Sequence, residues 1–213
     1  MKKTVILAAL LMSAIGAHAQ GTVQFVNNSG TAFRAPVYIG AAGEEFKQGN
    51  TGAGIPAGTQ TYLGALAAGT GYTAALWAKV GTGQTEASLD QIATTSFRTG
   101  TAAGFMTAVT ATVPNSPIDG NAYSGTFQVR AWDNRGGTIT TWAAVLADPT
   151  IASGKSTLFD AGPLGGTGTP PATPPLLTGL RSFNLVAAPV PEPSVIALGA
   201  LGLGALLLRR IRK

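Results

Sequence analysis

Tyr72–Val80 reads YTAALWAKV, and residues 125–132 read GTFQVRAW. In the first stretch Tyr72, Ala74, Leu76, Ala78 and Val80 share one side of an extended chain, while Thr73, Ala75, Trp77 and Lys79 share the other. In the second, Phe127, Val129 and Ala131 oppose Gln128, Arg130 and Trp132. A period of two, with one apolar face and one mixed face, is the signature of a half-buried β-strand. Further short runs of this kind occur at 22–27, 36–39, 59–63, 105–113, 156–159 and 180–187. Between them lie turn signals such as Asn27-Asn28-Ser29-Gly30, Gly40 to Gly43, Pro114-Asn115-Ser116-Pro117 and Asp133-Asn134-Arg135-Gly136-Gly137. Residues 141–147 fit a short helix, with Trp142, Val145 and Leu146 at i, i+3 and i+4. Many short strands separated by Gly and Pro predict an all-β fold, an antiparallel β-sandwich of jelly-roll or Ig-like form.

Residues 161–179, AGPLGGTGTPPATPPLLTG, are ten parts Gly or Pro in nineteen, the composition of a linker. Because an alternating stretch follows at 180–187, this segment is expected to be a long surface crossover inside the domain. The β-domain then spans 20–187.

The 213-residue chain carries 14 Lys+Arg against 9 Asp+Glu, a formal charge of +5. Six of those cations lie at the ends: Lys2, Lys3, Arg209, Arg210, Arg212 and Lys213. Between Gln20 and Val190 eight basic residues meet eight acidic ones. The body is neutral and lacks a basic run, which excludes a nucleic-acid partner.

Residues 1–19 read as a secretory signal peptide: Lys2 and Lys3, an apolar run from Val5 to Ile15, then Ala17-His18-Ala19. Signal peptidase is expected to cut after Ala19, leaving Gln20 first; the apolar run is short for an uncleaved anchor. His18 is the one histidine, and there is no cysteine. The exported body therefore cannot build ordinary Cys/His zinc sites, Ser-His-Asp triads or Cys-His dyads. Its stability must come from a core rather than disulfides.

At the other end, Val190-Pro191-Glu192-Pro193-Ser194 precedes fourteen apolar residues from Val195 to Leu208, then Arg209, Arg210, Ile211, Arg212 and Lys213. As a helix the apolar run is about 21 Å long, a short transmembrane helix whose flanking cations snorkel. The positive end, Arg209, Arg210, Arg212 and Lys213, is expected to stay cytoplasmic, with the body outside. The rival reading is a plain single-span anchor.

These residues resemble the PEP-CTERM sorting signal, a Pro-Glu-Pro triplet, a short Gly/Ala/Leu-rich helix and an Arg-rich tail, here spanning 188–213. The resemblance implies recognition of Pro191, Glu192 and Pro193 by exosortase, a membrane-embedded Cys transpeptidase of Gram-negative bacteria that make exopolysaccharide. It implies an inner-membrane anchor before processing and the cell surface or extracellular matrix afterwards. The strand at 21–27, the Val129–Asp133 motif VRAWD, Gly154-Lys155-Ser156 and the Pro-rich stretch at 170–175 are also similar to a subset of exported PEP-CTERM proteins, a group with no established activity.

Gly154-Lys155-Ser156 is not a phosphate loop, because the glycine required five residues earlier is Pro149. It reads as a turn feeding a strand. Carboxylate pairs can hydrolyse glycosides without His; the candidates are Glu86, Asp90, Asp119, Asp133, Asp148 and Asp160. Asp119, Asp133 and Asp148 sit in turn contexts where Asp caps its own backbone. No Asp-x-Asp-x-Asp spacing suggests calcium, and no metal or cofactor is expected. If the two long strands are neighbours, Trp77, Lys79, Arg130 and Trp132 form an aromatic and cationic platform suited to stacking on sugar rings. The competing and favoured reading packs each Trp beneath segment 141–147, with Arg130 covering an indole. The sequence thus predicts a non-enzymatic exported structural or interaction module, with an exopolysaccharide-binding module and a carboxylate-type polysaccharide hydrolase as alternatives.

Overall fold

The computed structural model describes residues 21–29, 33–40, 65–117 and 121–187. The signal segment, the candidate strand at 59–63, Asp119 and the whole sorting tail lie outside the described residues. Within them the chain forms β1 (Thr22–Phe25), β2 (Asn28–Ser29), β3 (Phe33–Arg34), β4 (Tyr38–Ile39), β5 (Ala65–Leu66), β6 (Tyr72–Val80), β7 (Asp90–Ser96), β8 (Val109–Thr112), β9 (Gly125–Asp133), α1 (Trp142–Ala147), β10 (Ser153–Lys155), β11 (Phe159–Ala161) and β12 (Asn184–Leu185). The fold is all-β, with α1 the one α-helix among the described residues.

The two stretches with the clearest alternation are the two longest strands, and they are partners. β6 and β9 pair antiparallel over nine residues, from Tyr72 opposite Asp133 to Val80 opposite Gly125. β7 covers the other edge of β6, with a register shift between Leu76 and Trp77. β10 and β11 share the other edge of β9. The single strand expected at 156–159 is thus two strands with a break between them. Ser156 makes the break: its N–H donates to the Val129 carbonyl at 2.8 Å and its Oγ accepts from the Val129 N–H at 3.0 Å. A side chain replaces one rung of the ladder there.

Ala74, Leu76 and Ala78 of β6 and Phe127, Val129 and Ala131 of β9 are fully buried. They join one apolar cluster with Val23 and Phe25 of β1, Ala111 of β8 and Leu185 of β12. Burying each large side chain in it contributes roughly 1.5–3 kcal/mol. β1 pairs antiparallel with β8. Its opposite edge is covered by the Pro-rich segment, which corrects the expectation of a surface crossover. Thr22 N–H donates to Gly165 O at 2.9 Å, Gly165 N–H to Thr22 O at 2.8 Å, and Gln24 N–H to Pro175 O at 3.0 Å. Proline lacks an N–H but keeps its carbonyl, so such a segment can still accept from a strand edge. Leu164 and Leu177, at its two ends, are fully buried.

Asn27 organises the first turn. Its Nδ2 donates to Ala35 O at 2.8 Å and Gly104 O at 2.9 Å, and its Oδ1 accepts from Met106 N–H at 2.7 Å. The β2–β3 hairpin springs from this buried amide. β4 pairs antiparallel with β5 and, against the expectation of a purely antiparallel fold, parallel with β12. The run expected as a strand at 180–187 is a strand only at Asn184–Leu185. Residues 182–185 are buried one after another, so both faces of this segment are covered. On its other side Val186 exchanges two hydrogen bonds with Ser153, at 3.1 and 2.9 Å, tying β12 to β10.

α1 begins at Thr141, whose Oγ1 accepts from Ala144 N–H at 3.2 Å, an N-cap worth about 1 kcal/mol. Val145 is buried, but Leu146 is 71% exposed. The expected apolar stripe is therefore narrower than i, i+3, i+4 suggested.

Candidate functional site

The outer face of the central sheet carries the chemistry. Because β6 and β9 pair in this register, Trp77 lies opposite Gln128 and Ala75 opposite Arg130. Thr73, Ala75, Trp77 and Lys79 thus share a face with Thr126, Gln128, Arg130 and Trp132, as the alternation predicted. The four platform residues do not form a common exposed surface, however. Trp132 is fully buried. Its Nε1–H donates to Ile139 O at 2.9 Å, and the Trp142 ring of α1 lies 5.9 Å away at 60°. Val145 and Ile151 complete a small apolar cluster over it. The Trp132 ring offers no face to a sugar.

Arg130 is held between indoles. Its Cζ lies 3.9 Å from the Trp77 ring centroid and 5.4 Å from that of Trp142. Its side chain is only 7% exposed. A cation over an indole contributes about 0.5–2 kcal/mol, more when desolvated. The Nε–H donates to Gln128 Oε1 at 2.8 Å, and Nη2 donates to Glu86 Oε1 at 3.4 Å. Burial pulls the Arg130 pKa down from its usual value, and the Glu86 charge pushes it back up. This is the packing arrangement that competed with the platform in the sequence.

Glu86 stands on a one-turn 3-10 helix, Glu86–Ser88, between β6 and β7. It accepts from Lys155 Nζ at 2.8 and 2.9 Å, one contact to each carboxylate oxygen. The Lys155 hydrogen bond does most to lower its pKa; burial opposes it, and Gln128 and Arg130 assist. The Lys155 and Glu86 side chains are 48% and 39% exposed, so this pair contributes at the surface scale, about 0–1 kcal/mol. The approach to Glu86 is pinned: Gln84 N–H donates to Thr126 Oγ1 at 3.1 Å, Gly83 N–H to Asp160 Oδ1 at 3.2 Å, and Thr126 Oγ1–H to Asp160 Oδ1 at 2.6 Å. Leu89, buried, closes the arch. Lys79 leaves the cluster and lies 3.7 Å from Asp90. Trp77 Nε1–H is buried without an acceptor, and an unmade hydrogen bond of that kind costs about 1–3 kcal/mol.

The other carboxylates serve local structure. Asp133 accepts from Arg135 N–H at 2.8 Å. Asp148 accepts from the Thr150 N–H and hydroxyl, at 2.9 and 2.6 Å, and these bonds lower its pKa. Among the described residues no group of three His, Cys, Asp or Glu side chains is placed to hold a metal. Gly154-Lys155-Ser156 is the end of β10 and the break after it, and a Cβ at Gly154 would overlap the Asn184 carbonyl oxygen. That glycine answers to the close approach of β12.

Three members of the cluster, Glu86, Lys155 and Trp142, had no place in the platform read from sequence. Glu86 and Lys155 are 69 residues apart, and no local pattern joins them. Trp142 was legible only as a helix residue. Chemically the cluster is a carboxylate held by two cations and an amide beside two indoles. No protein-family model matches the chain, and it matches no curated protein and no solved structure.

Proposed function

We propose that this is a non-enzymatic exported protein, its body an all-β module of sandwich form that serves structure or interaction at the cell surface or in the extracellular matrix. The observation that carries the reading is the order Pro191-Glu192-Pro193, apolar run, and Arg209, Arg210, Arg212, Lys213 at the C-terminus, which resembles a PEP-CTERM tail. Signal peptidase would free Gln20, the inner membrane would hold the tail, and an exosortase-type transpeptidase would process it. In a Gram-negative host with working exosortase, the exported chain should lose its C-terminus near the Pro-Glu-Pro triplet, seen as a mass shift on the intact protein. Export with an unaltered C-terminus in that host would overturn the sorting part of the reading.

A second reading is an exopolysaccharide-binding module. It is favoured by one feature of the outer face: Trp77 and Trp142, both partly exposed, bracket the Arg130 guanidinium. Indole faces give flat apolar area, and a cation beside them gives orientation to hydroxyl or acidic groups.

A further inference from the structure

Glu86 occupies a place built for a carboxylate. Arg130 and Lys155 both donate to it, and the Gln128 amide hydrogen-bonds it as well. Yet the fit is incomplete. The Arg130 contact is long, at 3.4 Å, beyond the 2.7–2.9 Å of a good charge-assisted bond. Among the described residues Arg130 Nη1 has no hydrogen-bond acceptor, while Nε and Nη2 do. A guanidinium can engage a carboxylate through two parallel N–H bonds, and here Glu86 reaches only one nitrogen. The backbone on either side of Glu86 is fixed, by Thr126 and Asp160 before it and by buried Leu89 after it. Its side chain, 39% exposed, can turn away without moving that backbone.

We infer that the Arg130–Lys155–Gln128 cradle beside Trp77 and Trp142 is a binding site for a sugar carboxylate, the uronic-acid unit of an acidic polysaccharide, which the Glu86 side chain occupies in competition. This rests on the glycan-binding reading and names its ligand class. The ligand carboxylate takes the place of Glu86 on Arg130 and Lys155, and the partly exposed indoles meet the ring. Glu86 is a tethered competitor with a high effective concentration, so it weakens the site and sets a threshold of ligand density. Because the body as a whole is charge-neutral, attraction of a polyanion by net charge alone is small.

The test measures retardation of the full-length chain in gels containing polygalacturonate or dextran. Glu86→Gln and Glu86→Ala should each bind polygalacturonate about three- to tenfold more tightly than the parent, the range set by loss of a partly exposed competing pair. Asp148→Asn removes the same charge elsewhere on the surface and should leave binding unchanged. Adding Lys155→Gln to Glu86→Ala should cancel the gain. Dextran should distinguish none of these variants. Equal gains for Asp148→Asn and Glu86→Gln would mean net charge alone and overturn the inference, as would two Glu86 variants that bind no better than the parent. If dextran is retained, Trp142→Ala abolishes that retention, and the Glu86 variants have no effect on polygalacturonate, the uronate site is wrong while the broader glycan-binding reading stands. Circular dichroism on each variant separates loss of binding from loss of fold, and the expected result is a gain, which unfolding cannot mimic.

Discussion

At Glu86, electrostatics and position combine to make stability depend on pH. The carboxyl is held below its ordinary value near 4.5, so the unfolded chain takes up a proton before the folded one does. The stabilisation from its cations is therefore complete above about pH 4.5 and disappears as the pH falls through the lower folded value. Glu86→Gln should lower stability at pH 7 by about 1 kcal/mol or less, given the exposure of the pair. By pH 3 the gap between variant and parent should have narrowed, read from urea unfolding at both pH values. A gap that stays constant would show that the Lys155 and Arg130 contacts do not depend on the Glu86 charge. At this scale the sequence was partly legible. Trp77, Arg130 and Trp132 were placed on one face by parity alone. Their burial was not, because the cover comes from α1 and from Glu86, whose partner Lys155 is 69 positions away.

Among the elements, β6 and β9 declared themselves because nine residues give a period of two room to repeat. Strands of two residues, such as β4, β5 and β12, offer no period and exist through their partners. β7 escaped sequence reading for another reason. It is an edge strand of the central sheet, its residues DQIATTS are exposed or half-buried, and no clean alternation is imposed on them. The Pro-rich segment misled in the opposite direction. Its composition is that of a linker, but Leu164 and Leu177 anchor it in the core and its carbonyls serve β1. Leu177→Ala should therefore cost about 2–5 kcal/mol, against about 0.5 kcal/mol or less for a surface loop. Chemical denaturation decides between them.

For the whole molecule, the last thirty described residues are part of the fold rather than an appendage. Leu164, Leu177, Leu180, Phe183 and Leu185 belong to the same apolar cluster as the central sheet. A chain ending at Ala161 should lose its cooperative thermal transition altogether, and a retained transition in calorimetry would show that β1 to β11 fold without the C-terminal segment. The parallel placement of β12 beside β4 also joins the two ends of the body: the strand that follows Asn27's hairpin and the strand that precedes the tail share a ladder.

That ladder fixes how the body meets tension. For a domain hung from its C-terminal tail, a pull enters at Ala187 and reaches β12 first. Tyr38 and Gly40 donate to the Phe183 and Leu185 carbonyls at 3.0 and 3.1 Å on one side, and the Val186–Ser153 pair holds the other. These four bonds flank the same short stretch of chain and are loaded in shear together, so the body resists as a clasp and not as a zipper. The strand with the weakest sequence signal is the one that would bear the load.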